Sequence, residues 1–376
     1  MTSGSSAYSS AGVDYQALDA GKRGALTAAL STSALLERSG GRALDESRGE
    51  PAFVFQCGEL TLGFVLETLG TKSLIARQLR QQVGPSGFAH VAYDTVAAIV
   101  NDLCCVGALP LVVNAYFATG SSSWYSDSEA HSALLAGWRE GCVDAGATWG
   151  GGESPALAGL VADQELELAG SAVGMIPAGG GPILGQDLAA GDEIVLVKSS
   201  GLHANGASLA RLVADRLPEG YATALPSGRS FGVALLDRSV IYSGLVRALL
   251  ENGTPVHYLS HITGHGFLKL MRPKRELGYR IWRLPEVPEV LALLSEHAGL
   301  SAHEAYSTLN MGTGFAVYCA PGSGEVVTRL ASALGLEAHL AGRVEEGPRR
   351  VVLEPVDVVF ESEELDLAPH HQAPAA

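Results

Sequence analysis

One stretch organises the chain: Val91 to Gly120, VAYDTVAAIVNDLCCVGALPLVVNAYFATG. Its first half has helical spacing and is apolar except for Asp94, Asn101 and Asp102. Asp94 and Asn101 are seven residues apart, about two turns at 3.6 residues per turn, so they point almost the same way. Asp102 lies on the adjacent strip. Val96, Ile99, Val100 and Leu103 around them predict a helix buried on most sides. Unpaired carboxylates there would cost roughly several kcal/mol. A lysine, an arginine or a bound metal ion has to meet them, unless the strip is simply solvated.

Elsewhere the periodicity changes element by element. Tyr15–Leu36 reads as helix. Alternation over Pro51–Leu66 predicts a hairpin with strands near 52–57 and 60–66, delivering the chain to Glu67-Thr68-Leu69-Gly70-Thr71-Lys72. Gly70 allows a tight turn close to a ligand. Leu74–Gln82 is a short helix, Pro110–Ala118 a strand, Glu129–Gly146 a helix and Leu166–Ile176 a strand. Between the last two lies Trp149-Gly150-Gly151-Gly152-Glu153, read as a glycine loop that approaches a ligand, since ordering three glycines costs entropy.

Pro177-Ala178-Gly179-Gly180-Gly181-Pro182 reads as a linker. Beyond it come a strand (Glu193–Lys198), the turn Ser199–Gly206, and a helix (Ala207–Leu217) whose free N–H groups suit a phosphate. A helix over Asp237–Asn252 follows, then His261-Ile262-Thr263-Gly264-His265-Gly266 and short helices at Phe267–Met271 and Val287–His297. A second glycine turn, Thr308–Phe315, enters the strand Phe315–Cys319. A helix (Glu325–Gly335), strands at Ala338–Glu345 and Arg350–Leu353, and an acidic tail disordered over 361–376 complete the reading. Strands and helices mix without strict βαβ alternation, which favours α+β over a doubly wound sheet. The expected domains are 1–178 and 179–360.

Composition sets limits. At 376 residues and 47% hydrophobic, the chain can fill two cores. A net charge of −15 argues against a nucleic-acid surface. It leaves room for a phosphate ligand carried by Mg²⁺, a few lysines or backbone N–H groups. Five cysteines, none in a CxxC, fit a reduced, cytoplasmic compartment. The N-terminus lacks the features of a signal peptide, and no apolar run reaches membrane length. There is neither a P-loop nor a GxGxxG after a strand. The HxxxH spacing of His261 and His265 makes a weak metal motif, because Gly264 and Gly266 disfavour a helix there.

Taken in order, nine segments resemble the aminoimidazole ribonucleotide (AIR) synthetase family, also called phosphoribosylformylglycinamidine cyclo-ligases. They are AYSSAGVD (7–14), ETLGTK (67–72), YDTVAAIVNDL (93–103), NAYFATG (114–120), GGGES (150–154), LAGSAVG (168–174), SSGLHANG (199–206), HITGHG (261–266) and TLNMGTGF (308–315). The resemblance implies a two-domain PurM-like α+β fold. Its N-terminal domain binds ATP and contributes a four-stranded sheet to a barrel closed by a second subunit; its C-terminal domain is an α+β sandwich. It implies a small-molecule substrate, a homodimer, and ATP-dependent closure of an imidazole ring from formylglycinamidine ribonucleotide, releasing ADP and phosphate.

The resemblance also implies residue roles. Lys72, Asp94, His203 and His261 are the expected catalytic residues. Glu67, Gly70, Thr71, Lys72, Asn101, Gly151, Gly152, Glu153, Asn205, Gly206, Thr263, Gly264 and Asn310 are expected at the nucleotide and substrate, and Asp94, Asp102 and Glu153 at Mg²⁺. Three positions depart from the family pattern: Glu67 stands where the loop has Asp, Ala115 where an Asp precedes Tyr-Phe-Ala, and His265 breaks the glycine run after His-Ile-Thr. They leave open a relative that activates a different amide, or a kinase of the same superfamily.

Overall fold

The structure, a computed structural model, describes residues 15–365. The first sheet contains β1 (Gly41–Leu44), β2 (Phe53–Cys57), β3 (Leu60–Thr68), β4 (Leu109–Thr119), β5 (Thr148–Glu153) and β6 (Leu166–Met175). Their order is β1-β2-β3-β6-β4-β5, six strands where the family resemblance implied four. All pairs are antiparallel except β4 with β5. The second sheet runs β13-β12-β9-β11-β7-β10-β8. It comprises β7 (Glu193–Lys198), β8 (Val256–His261), β9 (Leu277–Ile281), β10 (Thr313–Cys319), β11 (Ala338–Glu346), β12 (Arg350–Leu353) and β13 (Val358–Glu361). The architecture is α+β with two mixed sheets, as the patterning predicted.

Helix α1 spans Tyr15–Leu30, α2 Lys72–Gln78, α3 Ser86–Cys104 and α4 Ser128–Ala145. The predicted central helix is α3, and it is buried along nearly its whole length. It lies between the inner face of the first sheet and α4. Gly137 of α4 makes that approach possible: a Cβ there would sit 1.9 Å from the Ala89 carbonyl oxygen. Val96, Ile99, Val100 and Leu103 of α3 join Val54, Val65, Val113 and Leu168 of the sheet in one core. At about 25 cal/mol per Å², burial on this scale is the main term holding the helix in place. No helix among the described residues is long and apolar enough to cross a membrane.

Three expectations need correction. The glycine stretch at 148–153 is an edge strand, β5, and not a loop. Its glycines serve close packing on β4: a Cβ on Gly152 would lie 2.1 Å from the Ala115 carbonyl oxygen. The helix expected over 237–252 is confined to Ser243–Glu251. Residues 237–242 stay irregular because their backbone is tied to α3, with Ser239 N–H donating to Asp94 Oδ1 (2.6 Å) and Tyr242 N–H to Asn101 Oδ1 (2.8 Å). The acidic segment is ordered further than predicted. Strand β13 pairs with β12, Phe360 and Leu365 are buried, and Ser362–Glu364 forms a 3₁₀ turn. The rest of the expected tail, 366–376, and the AYSSAGVD segment lie outside the described residues.

Candidate active site between the two halves

Helix α3 carries two different polar arrangements. The first is a sealed seam. Lys72, at the start of α2, and Asp94 are both fully buried and meet at 2.6 Å. Lys72 Nζ also donates to the carbonyl oxygens of His203 (2.8 Å) and Asp237 (3.3 Å), so all three of its N–H donors are engaged. The expected cationic partner of the helix carboxylate is therefore a lysine. Asn101 continues the seam, donating to the Val240 carbonyl at 2.8 Å as well as accepting from Tyr242. Thr71 crosses it too, with its hydroxyl 2.9 Å from that of Ser208.

The second arrangement opens into a cleft of about 600 Å³ lined by Glu67, Asp102, Asn205, His261, Thr263 and Lys269, among others. Residues of α1, Lys22 and Leu26 among them, form part of its wall. His261 Nδ1 lies 2.6 Å from Asp102 Oδ1. Burial resists the charge on Asp102, but the His261 contact and nearby Lys269 outweigh it and hold the carboxyl at about 2. His261 is driven toward its neutral form by burial, against the pull of Asp102. A neutral ring facing a carboxylate carries its proton on Nδ1, leaving Nε2 as an acceptor.

Glu67 is pushed up to about 7 by burial and by the neighbouring Asp102 charge, with Lys269 opposing. Burial lowers Lys269 to about 8, offset in part by Asp102; its ammonium donates to Thr263 Oγ1. Groups that titrate near neutrality in a cleft are candidates for proton transfer. Deeper in, Tyr258 donates to Glu50 at 2.8 Å and Arg272 lies alongside.

The remaining predicted residues divide between seam, support and surface. His203 is buried at φ 60°; its Nε2 accepts from Ser200 N–H (3.2 Å) and Val240 N–H (3.4 Å), while Nδ1 has no partner. Burial, then His261 and Lys72, keeps it neutral. Asn310 is satisfied internally, bonding Ser199 and the Gly312 N–H through Oδ1 and the Gly201 and Leu202 carbonyls through Nδ2. It locks the two glycine turns of the second half together. Gly206 caps the helix Ala207–Arg216, and Gly70 takes the left-handed turn its position requires. Thr263 and Gly264 line the cleft.

Gly151, Gly152 and Glu153 lie on β5, where all three are exposed. The three carboxylates expected at Mg²⁺ do not converge: Asp94 faces Lys72, Asp102 faces His261, and Glu153 bonds the Ser154 N–H. Among the described residues no three His, Cys, Asp or Glu side chains gather as a metal site. The sequence reading missed Lys269, Arg272, Glu50 and Tyr258. The signal for the first was a single lysine enclosed by apolar residues in Gly266–Met271.

Two family models match the chain: AIR synthase related protein, N-terminal domain, over residues 49–176, and its C-terminal domain counterpart over 189–354. A phosphoribosylformylglycinamidine cyclo-ligase of Methanothermobacter thermautotrophicus is 33% identical over 308 residues, 81% of this chain and 86% of the relative. The chain belongs to the phosphoribosylformylglycinamidine cyclo-ligase family. Another member, from Anaeromyxobacter sp., is 37% identical over 71% of this chain and 77% of its own length. Solved structures share the fold at lower identity. E. coli HypE, a hydrogenase maturation protein, has a TM-score of 0.54 at 20% identity, covering 82% of this chain and 87% of its own. AaThiL complexed with AMPPCP and TMP has a TM-score of 0.55 at 15% identity, covering 83% and 90%. Against the cyclo-ligase pattern, Glu67 keeps a carboxylate in the cleft, His265 lines its wall in a left-handed conformation, and Ala115 is buried on β4 beneath Gly152.

Proposed function

We propose that this chain is an ATP-dependent phosphoribosylformylglycinamidine cyclo-ligase and that the cleft beside Asp102 is where it works. ATP phosphorylates the formyl-amide oxygen of formylglycinamidine ribonucleotide. The substrate's amine attacks the activated carbon, the imidazole closes, and ADP and phosphate leave. Such chemistry needs charge stabilisation and positioning more than a protein nucleophile. The observation that carries the reading is the cluster of Glu67, Asp102, His261 and Lys269 in one hollow of a chain of this family. Lys269 and Arg272 offer positive charge to phosphoryl oxygens. His261, neutral and with Nε2 available, accepts the proton that the attacking amine sheds; ionised Asp102 stabilises the resulting imidazolium.

Mg²⁺ fits this cleft at Glu67 and Asp102 rather than at the sealed Asp94. Burial and the neighbouring Asp102 charge hold a proton on Glu67 against its ordinary acidity, and a divalent cation would displace that proton. When bound, Mg²⁺ neutralises triphosphate charge. Lys72 and Asp94 act behind the cleft, keeping the halves in register. The test is release of ADP together with aminoimidazole ribonucleotide when ATP, Mg²⁺ and formylglycinamidine ribonucleotide are supplied. ADP release without the imidazole product, or no release at all, defeats the assignment.

A homodimer completes the proposal. The outer face of the first sheet exposes Leu60, Phe64, Leu66, Leu111 and Val112. An apolar sheet face of this kind seeks a partner, and a second copy of the same sheet would bury it. Light scattering should report a dimer at micromolar protein and a monomer for Leu66→Asp with Phe64→Asp; a monomeric parent would remove this part. The free cysteines suit a reducing cytoplasm.

A further inference from the structure

The turn that follows His261 holds one residue its backbone does not favour. His265 sits at φ 71° and ψ 2°, in the left-handed region. A residue with a Cβ is uncommon there, whereas glycine takes that conformation without strain. Among the described residues the chain fills most positive-φ positions with glycine; His203, His265, Met311 and Asp357 are the exceptions.

The next residue shows what a packing constraint looks like. Gly266 also has a positive φ, 48°, and a Cβ on it would lie 2.2 Å from the Tyr306 carbonyl oxygen. Position 266 therefore has to be glycine. Position 265 would be relaxed as glycine, yet it carries an imidazole. Main chain closes the turn: Gly266 N–H donates to the Thr263 carbonyl (2.9 Å) and Leu268 N–H to the His265 carbonyl (3.1 Å). Neither bond uses the side chain, so the shape of the turn does not call for histidine.

His265 lines the cleft with His261, Thr263 and Asn205, and it is only 8% exposed. Strained residues cluster at ligand-contacting positions, where the side chain's work outweighs the strain. His261 stands four residues earlier in the same segment. In the cyclo-ligase reading its Nε2 takes the proton of the amine that attacks the formyl carbon. His265 then borders that end of the substrate. We infer that the His265 imidazole is a specificity residue. It closes the cleft wall around the formamide end of the ribonucleotide and excludes amides that carry more than hydrogen on the reacting carbon. The inference rests on the cyclo-ligase reading; glycine at 265 would leave that space open.

The experiment uses the full chain and two variants, His265→Gly and His265→Ala. Both remove the ring, and only glycine also removes the strain, so His265→Gly should melt above His265→Ala. Two ligands are compared: formylglycinamidine ribonucleotide, and its acetyl analogue with methyl in place of the formyl hydrogen. Each is titrated calorimetrically, then assayed with ATP and Mg²⁺ for ADP and the imidazole product. Room for one methyl group is worth about tenfold or more in discrimination. The formyl-over-acetyl ratio of kcat/KM should therefore fall by about tenfold in both variants, and the corresponding preference in Kd should fall with it. The intrinsic reactivity of the acetyl carbon cancels between variant and parent. A role confined to folding would move both ligands alike and leave the ratio fixed. An unchanged ratio in a folded variant overturns the inference, and so does loss of folding in both variants, which would assign the imidazole to the fold. If the parent binds the formyl ribonucleotide without making the imidazole, the cyclo-ligase reading fails and the Kd preference alone decides whether His265 selects. A parent that binds neither ribonucleotide overturns both.

Discussion

Two carboxylates eight residues apart on α3 have opposite fates. Asp94 is closed off: one oxygen takes Lys72, the other the Ser239 N–H, and neither side chain of the ion pair touches solvent. Asp102 faces a cleft and shares its surroundings with a second carboxylate, where burial brings Glu67 up to about 7 and Lys269 down to about 8. The first arrangement satisfies every charge and spans the two halves. The second keeps like charges together and leaves an acceptor nitrogen available. On the proposed reading, stability and reactivity are separated along one helix by little more than two turns, and a substitution should reveal which kind of site it hits.

The largest effect is expected at the seam. Lys72→Met leaves the Asp94 carboxylate buried and unpaired, a loss of about 3–5 kcal/mol. Denaturant melts should show the drop, and the double variant Lys72→Met with Asp94→Leu should recover part of it, because no lone charge remains. A single variant as stable as the parent would mean that the seam does not join the halves. Asp102→Asn should do the reverse. Turnover should fall by about 10²-fold or more, the usual worth of a positioned acid–base pair, with a smaller loss of stability than at Lys72→Met, since the depressed Asp102 carboxyl contributes to folding above the ordinary carboxylate range. A large loss of stability with turnover intact would invert the contrast between the two sites.

The difference between these sites was only half legible in the sequence. An apolar run broken by three polar residues forces a buried helix and demands a cation, and Lys72 supplies it. That the same lysine would exhaust its donors on main-chain carbonyls of the second half could not be read, because those contacts span more than 130 residues. Asp102 was legible as a buried carboxylate, but its partner His261 was not, nor was the raised proton affinity of Glu67; both depend on which turns face one another. Lys269 stayed hidden inside Gly266–Met271, where one cation among apolar residues gives no periodic signal. The glycines at 150–152 misled for a different reason: loop entry and close strand packing both require the absence of a side chain.

A medium effect concerns pH. The cleft titrates as a coupled group, so kcat/KM should rise as Glu67 ionises near 7 and fall as Lys269 loses its proton near 8, a narrow bell. Glu67→Gln should lower turnover, since it takes away a proposed Mg²⁺ ligand, and in the residual activity remove the acid limb and keep the alkaline one. Stability carries the same signature. The folded pKa of Glu67 lies above its unfolded value, so its contribution is full below the ordinary carboxylate range and is lost as pH rises through about 7. The Gln variant should therefore show less loss of stability between pH 5 and 8 than the parent. Identical pH profiles for both proteins would place Glu67 outside the titrating group.

The smallest effect is expected at Glu153. Its side chain is exposed at the end of β5 and hydrogen-bonds the adjacent Ser154 N–H at 3.1 Å. Neither Asp94 nor Asp102 shares its surroundings. Glu153→Gln keeps the shape and an acceptor while removing the charge, so turnover and KM for ATP should stay within about twofold, and stability within about 0.5 kcal/mol, as for an ordinary surface change. Gly152→Ala, one residue earlier, is the sharper control. It preserves all charges but drives a methyl group into the Ala115 backbone, so β5 should detach from β4 and lower the melting midpoint. If Glu153→Gln instead raises the Mg²⁺ requirement severalfold while Gly152→Ala is tolerated, β5 is ligand-facing after all. The carboxylates would then have to converge in a state more closed than this one.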